Sequence, residues 1–126
     1  MGERSFLSGR AQSFAHAFRG LAALFRTQPN ARIHAIAAAL VIGLAAFFRV
    51  SAGEWALLLG CIGFVFAAEA FNTALETLAD EVTLERRERI GRAKDLSAAA
   101  VLMAAIVSIC VGGVIFAPRL WVLIGF

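Results

Sequence analysis

A chain of 126 residues that is 60% hydrophobic, with mean hydropathy +0.79, carries more apolar surface than a soluble domain of its size can bury. That excludes a water-soluble enzyme or binding module and points to one all-α integral membrane domain over residues 1–126. The net charge of +3, from 12 basic and 9 acidic residues, says more through its distribution than its sum, and no nucleic acid is expected among the partners. Residues 1–10 are polar, and no short apolar stretch with a small-residue cleavage site follows, so a cleaved signal peptide is not expected.

From about residue 5 to 27, Phe6, Phe14, Phe18, Leu21 and Phe25 alternate with Arg10, Arg19 and Arg26. This is the pattern of an amphipathic helix lying in the membrane interface, with its arginines toward phosphate headgroups. Gln28-Pro29-Asn30 breaks it, with Pro29 ending one helix and opening the next. A first span over about 31–49 is slightly short for a bilayer, so Arg32 and Arg49 are expected to reach outward to the interface. Trp55 marks the start of a second span, over about 54–79, at a depth typical of tryptophan. A charged connection from Asp80 to Asp95, expected to be helical, leads to a third span over about 96–117. That span is rich in Ala, Gly and Ser, which favours close packing, and Pro118-Arg119 is expected to end it. Cys61 and Cys110 lie within apolar segments and read as small hydrophobic residues.

Five of the 12 basic residues precede the first span, namely Arg4, Arg10, Arg19, Arg26 and Arg32, and five lie in the connection after the second. Positively charged segments stay inside, so the N-terminus and the Glu81–Lys94 connection are expected to face the cytoplasm.

Glu69, Asn72, Thr73, Glu76 and Asp80 fall in the second half of the second span. At about 100° per residue they share a sector of roughly 100°, and at about 1.5 Å rise they form a ladder roughly 16 Å long. An ionisable group inside an apolar span is expensive and by default marks a functional site. Such a ladder can hold a divalent cation or pass protons, and one reading is a non-enzymatic oligomeric proton or cation conduit lined by the Glu69–Asp80 stripe. The other is phosphoryl transfer, which needs charge neutralisation and positioning more than covalent chemistry. On that reading Glu76 and Asp80 offer oxygen ligands to Mg²⁺, Lys94 offsets phosphate charge, and Glu69 takes the proton of a hydroxyl arriving from the lipid. The Arg92–Asp95 cluster at the mouth of the ladder favours this reading, although no nucleotide-binding glycine loop is present. Thr73 is expected to act as a bond between helices, and His16 and His34 singly read as interfacial polar contacts.

The run Glu69-Ala-Phe-Asn72-Thr73-Ala74-Leu-Glu76 with Asp80, then Gly91-Arg92-Ala93-Lys94-Asp95 and Ala98-Ala99-Ala100-Val101-Leu102, closely resembles the prokaryotic diacylglycerol kinase family, which includes the undecaprenol kinases. The resemblance extends to Ser13-Phe14-x-His16-Ala17-x-x-Gly20-Leu21 and Asn30-Ala31-Arg32-Ile33-His34, and covers roughly residues 10–118. It implies an ATP- and Mg²⁺-dependent lipid kinase of the bacterial inner membrane, acting on diacylglycerol or undecaprenol. It also implies a homotrimer with active sites shared between subunits. By this resemblance Glu69 is the catalytic base and Glu76 a Mg²⁺ ligand. His16, Asn72, Glu76, Asp80, Glu85, Lys94 and Asp95 surround the nucleotide. The family usually places a second metal-binding glutamate where this chain has Gln28. A glutamine carbonyl oxygen ligates Mg²⁺ without adding charge, which leaves open weaker metal binding, substitution by another acid, or an impaired enzyme.

Overall fold

A computed structural model describes residues 2–125, with side chains described from residue 8 onward; the side chains of Arg4 and Phe6 lie outside the described residues. Four helices follow in chain order: α1 (Gly2–Thr27), α2 (Pro29–Phe47), α3 (Ala52–Val82) and α4 (Glu88–Leu123). The described residues contain no strand. The last three helices are long and apolar enough to cross a membrane. Phe14, Phe18, Leu21, Ile36, Leu40, Phe64 and Ile109 are all exposed large apolar side chains. Such a surface is stable against lipid rather than water, and with the three apolar helices it makes this a multi-pass membrane protein.

Each joint has a local cause. Pro29 sits in the first turn of α2, where its missing N–H is no loss. Arg32, expected to reach the headgroups, instead turns back on α1. Its Nε donates to the Phe25 carbonyl at 2.9 Å and its Nη2 to the Arg26 carbonyl at 2.6 Å, satisfying two acceptors that a helix end leaves open. Phe25 and Phe66 pack with tilted rings, 5.5 Å between centres, and tie α1 to α3. Between α2 and α3, Arg49 takes a left-handed conformation (φ 49°), and Val50 is buried with its N–H donating to Ala45. Ser51 then closes a capping box with Glu54: the Glu54 N–H donates to Ser51 Oγ at 3.2 Å and the Ser51 N–H to Glu54 Oε2 at 2.8 Å.

At this end of the bundle Ala45, Val50, Leu58, Ile115 and Phe116 form a buried cluster, flanked by Phe48 and Trp55. Pro118, expected to end the third span, lies inside α4, which runs on to Leu123. The helix tolerates it because its end is held from outside. Arg119 forms a bidentate ion pair with Glu54, both bonds 2.9 Å, and also donates to the Ile115 carbonyl at 2.6 Å. Immediately before Pro118, Ile115 and Phe116 are locked in the core. The loss of one backbone bond at a proline does not unwind a helix anchored on both sides of it. The charged connection expected to be helical is helical only at its flanks, because residues 83–87 lie between α3 and α4.

Candidate functional site

The polar stripe of α3 faces α4 and α2 with a graded exposure. Glu69 is 1% exposed and Asn72 is buried, Thr73 and Glu76 are half-buried, and Asp80 is exposed. Asn72 is the joint of the cluster: its Nδ2 donates to Glu76 Oε1 at 3.3 Å, and its Oδ1 accepts from Ser97 Oγ on α4 at 2.7 Å. Its amide orientation follows from this pattern, since only one flip serves both partners. Ser97 also approaches the Lys94 carbonyl at 2.8 Å, one turn back on its own helix. Lys94 Nζ donates to Asp80 Oδ1 in a short ion pair that closes the ladder at its polar end. Glu69, Asn72, Glu76, Asp80, Ser97 and Lys94 therefore line one α3–α4 seam.

Glu69 is the costliest group in that seam. Its Oε2 has no hydrogen-bond partner among the described residues, and a buried carboxylate oxygen without a donor is strongly disfavoured unless a group from outside the chain supplies one. His34 of α2 approaches it, with Nε2 4.0 Å from Oε2, too far for a hydrogen bond. Thr73, expected to bond between helices, does not: its Oγ1 has no partner among the described residues, while its carbonyl accepts from Thr77 Oγ1 at 2.8 Å. The seam does not cross the chain, because the same face continues past Glu69 into buried Val65 and Leu58.

The other residues assigned by resemblance stand apart from this seam in the single chain. His16 is exposed on α1, with its Nδ1 2.8 Å from Arg19 Nη2. Glu85 is exposed between α3 and α4, 3.4 Å from Arg87. Asp95 is exposed on α4 beside Lys94, and no polar partner engages its side chain among the described residues. Gln28 caps α2 without a side-chain hydrogen bond, so its half-buried amide is not used in holding the helix.

No three His, Cys, Asp or Glu side chains converge among the described residues. Magnesium ordinarily takes one or two carboxylates and completes its octahedron with water and substrate phosphates, so Glu76 as a hard oxygen donor suits a site shared with a nucleotide, not an all-protein cage.

Ser97 and the His34–Glu69 approach were not assigned from sequence. Ser97 lies three residues after Lys94 and hence on the same face of α4, which is the signal that places it toward the seam. His34 belongs to the Asn30–His34 run, but its proximity to Glu69 arises only from packing of α2 on α3.

The chain matches the family model described as prokaryotic diacylglycerol kinase over residues 15–116. It is 36% identical over 117 residues to an undecaprenol kinase of Bacillus subtilis (strain 168), covering 93% of this chain and 95% of the relative. A diacylglycerol kinase of Synechocystis sp. is 37% identical over 109 residues, 86% of this chain and 62% of the relative. One from Haemophilus influenzae is 34% identical over 105 residues, 82% of this chain and 89% of the relative. With the polar seam of α3 and α4 inside the matched region, the chain belongs to the prokaryotic diacylglycerol kinase family.

Proposed function

We propose that this protein is an ATP- and Mg²⁺-dependent lipid kinase that transfers the γ-phosphoryl group of ATP to the hydroxyl of a membrane lipid alcohol, diacylglycerol or undecaprenol. The observation that carries this reading is the unpartnered, buried Oε2 of Glu69, at the lipid end of a seam whose polar end holds Lys94 and Asp80. Glu69 accepts the hydroxyl proton as the hydroxyl oxygen forms its bond to the γ-phosphorus. The bond from that phosphorus to the bridging oxygen breaks, and ADP leaves with the electron pair. Asn72, fixed between Ser97 and Glu76, holds the Glu76 carboxylate in place. Lys94 offsets phosphate charge, and Asp80 holds its amino group until then. Glu76 would hold magnesium, which when bound would neutralise phosphate charge. His16, Glu85 and Asp95 complete the nucleotide surroundings on this reading, with sites shared among three copies of the chain. The asymmetry of basic residues supports an inner-membrane location with the Lys94 end in the cytoplasm, where ATP is available.

Purified protein in mixed micelles should form ADP from Mg²⁺-ATP only when a lipid alcohol is present, with matching formation of the lipid phosphate. ADP formation that ignores the alcohol, or none with either alcohol, defeats the reading. Comparing diacylglycerol with undecaprenol in the same assay identifies the acceptor.

Gln28 gives a separate expectation. If its amide faces the metal, Gln28→Glu should lower the Mg²⁺ concentration for half-maximal activity, because a carboxylate adds charge to a hard-cation site. A Mg²⁺ titration that superposes on the parent protein's places Gln28 outside the metal shell.

A further inference from the structure

Each phosphoryl transfer of the proposed reaction leaves a proton on Glu69, and the carboxylate must shed it before it can act again. Most ways out are closed. Toward the interior, the same face of α3 continues into buried Val65 and Leu58. Toward the polar end stands Asn72, whose amide is engaged by Glu76 and Ser97 and does not ordinarily gain or lose a proton. The Thr73 hydroxyl, one turn on, is buried and has no partner among the described residues to which a proton could pass. The flanking ionisable residues of α3 itself, Glu76 and Cys61, lie about 10 and 12 Å away along the helix. On α4, the stretch between Asp95 and Arg119 carries one ionisable side chain, Cys110, which is exposed. Helix α1 meets α3 through Phe25 on Phe66, and its His16 and Arg19 bond to each other at the exposed surface.

Helix α2 is the exception. Between Arg32, which is held on the end of α1, and Arg49, its one ionisable side chain is His34. Its Nε2 lies 4.0 Å from Glu69 Oε2, about 1 Å beyond hydrogen-bond length, a gap that a small rotation of the ring closes. The carboxylate is 2% exposed and the imidazole 23%, so the pair leads from the interior outward. Along α2, His34 stands about 7.5 Å from Pro29 at the polar end of the helix. Imidazole is ordinarily a stronger base than carboxylate and exchanges protons readily near neutral pH.

We infer, resting on the lipid-kinase reading, that His34 is the proton exit of Glu69. The carboxylic O–H formed during transfer breaks, and its proton binds Nε2 of the neutral imidazole. The imidazolium then gives a proton to water at the polar rim, and Glu69 is a carboxylate again. His34 thus acts between turnovers and not on the transfer itself.

Rapid-quench measurement of lipid phosphate in mixed micelles tests this. In His34→Ala the first turnover should keep the wild-type rate while later turnovers slow about tenfold or more, giving a burst of about one lipid phosphate per site. His34→Gln keeps hydrogen-bonding groups but carries no proton onward, so it should show the same burst. Imidazole added to His34→Ala should restore the later turnovers in proportion to its neutral form and leave the first unchanged. First and later turnovers slowed alike, no slowing of either, glutamine restoring the wild-type rate, or no rescue by imidazole overturns the assignment. If the alanine variant does not fold, the presence or absence of the burst in His34→Gln decides. Wild-type protein that forms no lipid phosphate defeats the kinase reading and this inference together. Active wild type with burst-free variants defeats the inference alone.

Discussion

Glu69→Gln is expected to lower turnover by about 10²-fold or more, the usual scale for loss of a positioned general base. Glutamine keeps the side-chain volume, and Oε2 has no donor among the described residues that the lost charge would strand. Damage to folding should therefore be small, and nucleotide affinity should stay near that of the parent protein. The comparison that decides this is turnover at saturating substrates beside nucleotide affinity measured directly. A variant that loses nucleotide binding while retaining turnover at high ATP would move Glu69 out of proton transfer and into the nucleotide site.

Glu76→Gln should show the opposite division. Glu76 lies two turns, or about 10 Å, nearer the polar end of α3 than Glu69. The variant retains an oxygen for the Asn72 amide, so the Ser97–Asn72 link is preserved and only the charge offered to a metal is removed. Loss of one charged contact corresponds to a weakening of nucleotide affinity by roughly ten- to a hundredfold. Raising Mg²⁺ should restore part of it by mass action. Nucleotide affinity unchanged in Glu76→Gln, at any Mg²⁺ concentration, would remove this residue from the metal site.

The membrane-embedded architecture was legible because composition and helical periodicity are local signals. Apolar length marks α2, α3 and α4, and spacing alone puts Glu69, Asn72 and Glu76 on one face of α3. The joints were less legible. Arg32 reads as an interfacial cation and Arg119 as part of a stop, yet one caps α1 and the other pairs with Glu54, because each has a partner distant in sequence or set by a turn. Pro118 carries a strong local stop signal that tertiary anchoring overrides. Ser97 is marked in the sequence only by its spacing from Lys94, and His34 met Glu69 only when α2 packed on α3. A single histidine in an apolar helix has no periodicity to announce it, whereas five polar groups on one stripe do.

The two ion pairs at opposite ends of α3 and α4 act together as a pair of locating pins. Asp80–Lys94 and Glu54–Arg119 lie about 37–39 Å apart along the helices. Sliding α4 by one turn would displace it by about 5.4 Å and break both pairs at once. Rotating it on its axis would carry Lys94 away from Asp80 even if the far pair held. Between the pins α4 is rich in Ala, Gly and small aliphatic side chains, which alone would tolerate several alignments. The opposition of Ser97 to Asn72 is thus set by bonds at the rims, so the lipid-facing middle of α4 is free to vary without misaligning the reactive seam.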